Sequence, residues 1–541
     1  MSERRAIVRA AGQVSALTVL SRIMGLVRDA VVSGIFGAGV AADAFFVAYR
    51  IPNLLRRLVA EGAASAAFVP VLTESLTVHG RAEADRVARV LFTIMAAVLT
   101  VLALVGMLLA GPVTGLFAPG FAATPGKLEL AVRLTRLVFP YLVFIGLVAV
   151  AAGVLNSLRE FTAPAVSPTV LNLVMVVAAV ALTPWIGIYS LVVGLLLGGF
   201  GQLLTQVPAL RRMRVPLRPL WEPRHPAVAR VAALMVPTIF GSAVYQVNVL
   251  VNTIFASLLA AGSVSYLWYG ERLFEFPLGV FAVALGTAAL PTFATLARRD
   301  DAEFRETVAF ALRLVNVLAL PAAVGLAVAA GPLTSVLLQR GAFGAHETQE
   351  TALAVRCFAL GLWSVATVRT LVPAFYALQD TRSPVWAATG ALAANLVGIA
   401  LFVGPLPAGR AEHGALASMV ETCAVLHLRH GGLALATALA GTVNLALLCL
   451  AFRRRVRGFP WTGWLASTVR TAVAALTMIP VFRLTTAHVA WLAGTVPLAT
   501  RVGWLTLGIA AAMVTYAVAL ALVARPEMRE LRELFGGRGR S

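Results

Sequence analysis

Seven arginines fall inside runs otherwise apolar enough to cross a membrane: Arg22 and Arg28 in SRIMGLVRDA, Arg50, Arg56 and Arg57 in YRIPNLLRRLVAEG, Arg272 in YGERLFEF, and Arg369 in VATVRTLV. Close to them stand five acids, Asp29, Asp43, Glu61, Glu271 and Glu275. A charge inside a bilayer costs on the order of 3 kcal/mol even on lenient insertion scales, so each arginine must face a partner, water or a ligand. A guanidinium stays protonated and donates two parallel hydrogen bonds from a planar fork, which suits it to holding a phosphate rather than to moving protons. Some charges pair locally: Arg57 with Glu61 at i,i+4, and Arg272 with Glu275 at i,i+3. Arg22 and Asp29 are seven apart and so share a helix face, where Asp29 serves to orient an arginine while no anion is bound. A purely structural network of buried salt bridges competes with a hydrated cationic cavity, and the cavity accounts better for the excess of arginine.

The elements that carry these charges follow from composition. Of 541 residues, 60% are hydrophobic and only 13% charged, too little polar surface for a soluble domain, so the expected class is an all-α polytopic membrane protein. The first apolar run carries Arg22, Arg28 and Asp29 and lacks a small-residue cleavage site, and it reads as a retained helix rather than a removed signal peptide. With about 20 residues needed per crossing, fourteen transmembrane segments are expected, near 12–36, 43–72, 88–112, 130–156, 164–183, 187–209, 231–259, 265–294, 306–331, 351–378, 384–404, 431–452, 464–484 and 502–524. Arginine blocks such as Arg81, Arg86 and Arg89, the run from Arg211 to Arg230, and Arg453 to Arg457 then lie on one side. Only Lys127, Arg340, Arg410, Arg429 and Arg501 lie in loops on the other. That bias puts both termini in the cytoplasm and explains the net charge of +20 without nucleic acid. The short apolar stretch 414–428, which contains Glu421, is expected to lie on the surface or re-enter rather than cross. The three cysteines, Cys357, Cys423 and Cys449, show no paired spacing, and the seven histidines are scattered, so no metal, cofactor or catalytic function is expected.

The chain also repeats itself. AGPVT at 110 returns as AGPLT at 330, and LNSLREFTAPAVSP from 155 meets FYALQDTRSPVWAA from 375, both at a shift of 220; AAFVPVL and TAALPTF pair at 221. Each copy holds six segments, an even number, so the copies enter the membrane in the same sense, as in parallel-repeat transporters. The expected divisions are 1–215, 216–458, and an appendix at 459–541 holding segments 13 and 14. Gly25, Gly34, Pro52, Gly279 and Gly286 interrupt segments 1, 2 and 8, where alternating access would need movement.

SRIMGLVRDAVVSGIFGAGVAADAFFVAYRIPNLLRRLVAEGAASAAFVPVLTE closely resembles the opening segments of the MurJ/MviN family of lipid II flippases. NTIFASLLAAGSVSYLWYGERLFEFPLGVFAVALGTAALP resembles that family's segments 7 and 8, and FYALQDTRSP its turn between 10 and 11. The resemblance implies the multidrug/oligosaccharidyl-lipid/polysaccharide exporter fold, with two six-helix lobes forming a V. It implies movement of lipid II, the undecaprenyl-diphosphate-linked peptidoglycan precursor, to the outer leaflet of the bacterial cytoplasmic membrane. Membrane lipids and the cell-wall synthesis machinery are the implied partners. Carried over residue by residue, Arg22, Arg28, Arg56 and Arg272 would bind the diphosphate in a central cavity, with Asp29, Asp43 and Glu61 among the supporting charges, and segments 13 and 14 would take the lipid tail. Glu271 stands where relatives often have aspartate, which keeps the charge. Asn395 is followed four residues later by Ile399 where sodium-binding members carry aspartate, so no metal site is carried over. An enzyme acting on lipid-linked sugars, an exporter of the same fold for another substrate, and a nontransporting scaffold are the rival classes.

Overall fold

The computed structural model describes residues 2–58, 65–216, 218–406, 420, 422–524 and 527–528. The described residues are helical almost throughout and divide into two compact units. One comprises residues 1–265 with 340–342, and the other comprises 266–339 with 343–541. The first holds α1 (Ser2–Phe36), α2 (Val40–Arg56), α3 (Ser65–Glu74), α4 (Arg81–Leu108), α5 (Ala110–Phe117), α6 (Lys127–Val138), α7 (Tyr141–Ser157), α8 (Thr162–Ile186), α9 (Tyr189–Arg212) and α10 (Pro226–Leu258). From α11 (Ser263–Pro277) onward the second holds α12 (Val283–Arg299), α13 (Asp301–Leu338), α14 (Ala345–Ala359), α15 (Leu362–Ala377), α16 (Arg382–Phe402), α17 (His430–Arg455), α18 (Trp461–Leu476), α19 (Met478–Thr486) and α20 (Leu498–Val523).

Among the described residues nine helices or continuous helix pairs are long and apolar enough to span a bilayer, and the pair α14 and α15, bent by 44°, makes a tenth. The other four expected segments, 12–36, 43–72, 231–259 and 265–294, include residues whose side chains lie outside the description, so the test does not reach them in full. Three of them hold Arg22, Arg28, Arg50, Arg56, Arg57 and Arg272 with their acids. Residues 414–419 and Glu421 of the 414–428 stretch lie outside the described residues. The described end of that connection runs back along α16, with the amides of Val425 and Leu428 donating to the carbonyls of Leu401 and Phe402 at 2.9 and 3.0 Å.

The repeat is visible in the backbone. The turn after α7 and the turn after α15 share one hydrogen-bond pattern 220 residues apart. Glu160 N donates to Leu155 O and Asp380 N to Phe375 O, both at 2.9 Å, while Arg159 N donates to Asn156 O and Gln379 N to Tyr376 O, both at 3.0 Å. This is the paired closure by which helices end through a left-handed residue. Arg159 (φ 60°) and Gln379 (φ 57°) occupy that position, which glycine usually fills. The helix starts match as well: α8 begins at 162 and α16 at 382, and α4 follows Gly80 as α13 follows Asp300.

Each unit packs its own apolar core. Phe68, Leu99, Leu142, Ala151, Leu155 and Leu210 join α3, α4, α7 and α9 in the first. In the second, Phe293, Leu312, Leu371, Phe375 and Phe452 join α12, α13, α15 and α17. Ala151 and Leu155 correspond to Leu371 and Phe375 at the 220 shift, so the same positions are buried with larger side chains. A further cluster, including Ala475, Phe482, Leu505 and Tyr516, seats α18, α19 and α20 on α13, where the Tyr516 hydroxyl donates to Val317 O at 2.8 Å.

Candidate functional site

In the first unit the second half of α1 lies along α8 and carries the two residues of the RD pair into the interior. Arg28 and Asp29 are 9% and 5% exposed. Nε and Nη2 of Arg28 both donate to Asp29 Oδ1, at 3.0 and 2.7 Å, and Nη1 donates to Asn172 Oδ1 at 3.0 Å. Asn172 is held in turn by its amide bond to Ser21 O at 3.2 Å. The fork of Arg28, the edge that would grip a phosphate, is therefore occupied by a carboxylate one residue away. The seven-residue spacing from Arg22 plays no part in that contact. Arg22, half-buried one and a half turns earlier on α1, forms no hydrogen bond or ion pair among the described residues.

Asp43 has a different environment from the one expected of a cavity charge. It is 1% exposed and accepts four hydrogen bonds: from Lys127 Nζ at 2.7 Å, Gly262 N at 2.8 Å, Ser265 N at 2.9 Å and Ser265 Oγ at 2.7 Å. Four donors match the acceptor capacity of a carboxylate, so Asp43 is fully engaged in joining α2 to the start of α6 and to the Gly262–Ser265 turn. Lys127, expected in an outer loop, is instead 1% exposed, with its ammonium 4.2 Å from the centre of the Phe121 ring. Further along α2, Arg50 is buried and donates from Nη1 to Thr253 Oγ1 at 2.9 Å, and Arg56 donates from Nε to Asn53 Oδ1 at 2.7 Å. Arg57 is half-buried, and Glu61, its expected partner, lies outside the described residues.

In the second unit Arg272 lies on α11 with its guanidinium carbon 4.7 Å from the centre of the Trp268 ring, and donates from Nη1 to Glu275 Oε2 at 3.3 Å. The expected i,i+3 pair is present, with side chains 30% and 29% exposed. Stacking on a ring uses the face of a guanidinium and leaves hydrogen bonding to its edges. Glu271 is half-buried beside it. Arg369 is half-buried within α15, where a side chain on Gly286 would come within 2.8 Å of the Arg369 carbonyl, so α12 approaches α15 there only because residue 286 has no Cβ.

Asn172, Lys127 and Thr253 are the site residues that sequence reasoning missed. A lone asparagine in LNLVMVV was a usable signal. Lys127 follows a TPG turn, and nothing in its spacing points to Asp43, 84 residues earlier.

Each unit thus holds buried or half-buried cations on its helices, and Arg28 and Arg272 each direct a donor edge at a carboxylate. A family model described as lipid II flippase MurJ matches residues 32–500. The lipid II flippase MurJ of Burkholderia cenocepacia is 38% identical over 477 residues, covering 87% of this chain and 88% of that protein. A probable lipid II flippase MurJ of Vibrio cholerae is 38% identical over 451 residues, covering 80% and 81%. Among solved structures, a lipid II flippase MurJ in an inward closed conformation aligns at a TM-score of 0.76 and 25% identity, over 95% of this chain and 99% of that one. An inward-facing multidrug resistance transporter of the MATE family in the MOP superfamily aligns at 0.65 and 13% identity over 82% of this chain, a likeness of fold alone. With the family model matching most of its length, the chain belongs to the MurJ family of lipid II flippases.

Proposed function

We infer that this protein moves lipid II from the inner to the outer leaflet of the bacterial cytoplasmic membrane, using Arg22, Arg28, Arg56 and Arg272 to hold the diphosphate. The observation that carries the reading is the occupied fork of Arg28: a buried arginine on α1 is kept oriented by Asp29, whose Oδ1 accepts from both Nε and Nη2, the edge that a phosphate would take. Exchange of carboxylate for diphosphate keeps the guanidinium satisfied at every stage, so the charge is never left bare in a low dielectric. The half-buried Arg272, stacked on Trp268, is a second donor of the same kind. No bond in the substrate is made or broken by these groups.

Depletion of the protein in its host, followed by asking on which membrane face lipid II accumulates, tests the function; accumulation on the outer face would overturn it. Alternating access is part of the proposal. Ser33 and Ser263 are 0% and 3% exposed, so cysteines placed there should be closed to aqueous reagent in this state and open to it in another. The arginine bias supports a cytoplasmic position for both termini. A reporter fused after Arg457 should then read cytoplasmic and one at Gly344 external. The cell-wall synthesis machinery is the proposed partner that receives the translocated lipid.

A further inference from the structure

Arg501 differs from Arg28 and Lys127, the buried cations that hold a carboxylate. It opens α20 in its first turn, is only 7% exposed, and touches no carboxylate among the described residues. Arg28 and Lys127, by contrast, each hold an aspartate at 2.7 Å. Among the described residues, all the side-chain hydrogen bonds of Arg501 leave from one nitrogen. Nη1 donates to Ser335 Oγ at 2.9 Å, Gln339 Oε1 at 3.2 Å and Ser335 O at 3.5 Å, at the carboxyl end of α13. Those contacts place a cation at the negative end of a helix and explain why Nη1 is there. They leave Nε, which is buried and bonded to nothing. Nε and Nη2 together form the edge through which arginine takes a phosphate bidentately.

A second feature converges on the same end of the molecule. Leu498, Ala499 and Thr500 are exposed, Pro497 at the helix boundary offers no side-chain cap, and the first N–H groups of any helix lack partners within it. Long side chains lean back toward the start of their helix, which brings the Arg501 head toward that turn. An uncapped helix start next to an arginine with an unmade donor edge is an anion site. Its neighbourhood is membrane-interfacial in character, with Trp504 one turn on and its ring 4.1 Å from His488.

We propose that Arg501 and the first turn of α20 bind the phosphate of a lipid, at a place separate from the arginine set of α1, α2 and α11. Its position at the outer surface rests on the topology proposed above; the binding does not. Two sources share this chemistry, a phospholipid headgroup and the diphosphate of a polyprenyl lipid, and the probes distinguish them.

The test uses the purified full chain in detergent, with lipid retention measured by native mass spectrometry for phosphatidylglycerol, phosphatidylcholine, undecaprenyl diphosphate and diacylglycerol. The three phosphate-bearing lipids should be retained over diacylglycerol, and the tightest of them names the source. Arg501→Gln should lower phosphate-lipid affinity about tenfold or more, the loss expected for one charge-assisted contact. Arg501→Lys should lose nearly as much, because lysine lacks the fork. Arg483→Gln, at an exposed arginine on α19, should change nothing. Ser335→Ala removes a partner of Nη1 without touching the Nε edge, so it should lower the melting temperature and leave lipid affinity intact. Wild-type affinity in Arg501→Gln, or equal retention of diacylglycerol, overturns the proposal and makes Arg501 a clip on α13. Should the glutamine variant not fold, wild-type affinity in Arg501→Lys has the same force.

Discussion

The two repeats share a backbone but not a set of charges. At the 220 shift the turns at 155–160 and 375–380 close with the same hydrogen bonds, and Leu155 and Phe375 are both fully buried. Yet the first repeat buries two ion pairs, Asp43 with Lys127 and Arg28 with Asp29, whereas in the second Arg272 and Glu275 stay about a third exposed on either side of a long 3.3 Å contact. Helix ends, breaks and core positions survive duplication because any sequence that keeps the fold must keep them. Charges are free to diverge, and in this chain they mark the places where the copies have taken different work.

Removing one member of the Asp43–Lys127 pair separates these two kinds of ion pair most sharply. Asp43→Ala leaves an ammonium buried without its carboxylate and strips the Gly262–Ser265 turn of three bonds. Loss of one partner of a buried pair costs about 3–5 kcal/mol. Glu275→Ala, at a partly exposed site, should cost under about 1 kcal/mol. Thermal unfolding in detergent reads both, and Asp43→Ala combined with Lys127→Met should recover much of the loss. Equal melting temperatures for Asp43→Ala and Glu275→Ala would end the contrast.

Transport gives the next largest effect. Arg28→Ala and Arg272→Ala should insert at wild-type abundance and fail to move lipid II, with the loss of each contact worth about 1.5–3 kcal/mol of substrate binding. Arg28→Lys should fail nearly as badly as Arg28→Ala, since Asp29 and the proposed diphosphate both use the fork. Arg272→Lys keeps a cation over Trp268 and should retain more activity. Normal flipping by both alanine variants would reduce the two arginines to structural pairs.

What the sequence made legible was local or periodic. The pair Arg272 and Glu275 could be read from a three-residue spacing, and the repeat from three echoes at one shift. Apolar length marks α4, α8 and α13 as spanning helices. Contacts made through folding were out of reach. Asn172 meets Arg28 across 144 residues, and Asp43 meets Ser265 across 222. Lys127 and Arg501 read as loop charges because each follows a turn containing proline. Burial depends on what packs above a residue, and that information lies elsewhere in the chain.

The smallest expected effect tests the shared backbone itself. At the equivalent turns Glu160 and Asp380 begin the next helix, but with unequal reach. Asp380 accepts from Arg382 N at 3.1 Å, Ser383 N at 2.9 Å and Ser383 Oγ at 2.6 Å, while Glu160 accepts only from Ala163 N at 3.3 Å. The shorter side chain holds its oxygens against the first turn, as helix caps require. Asp380→Ala should therefore cost about 1–2 kcal/mol and Glu160→Ala well under that. Burial pushes the Asp380 carboxyl up, but the bonds from Ser383 and Arg382 outweigh it and hold it below the ordinary aspartate range. A carboxyl lowered by folding contributes its stability above the unfolded value, near pH 4, and loses it as the pH falls through the folded one. The gap in melting temperature between wild type and Asp380→Ala should thus be constant from about pH 8 to pH 5 and close only below about pH 4. A gap that closes well above pH 5, or one no larger than that of Glu160→Ala at neutral pH, would show that the two turns are held by their shared backbone bonds alone.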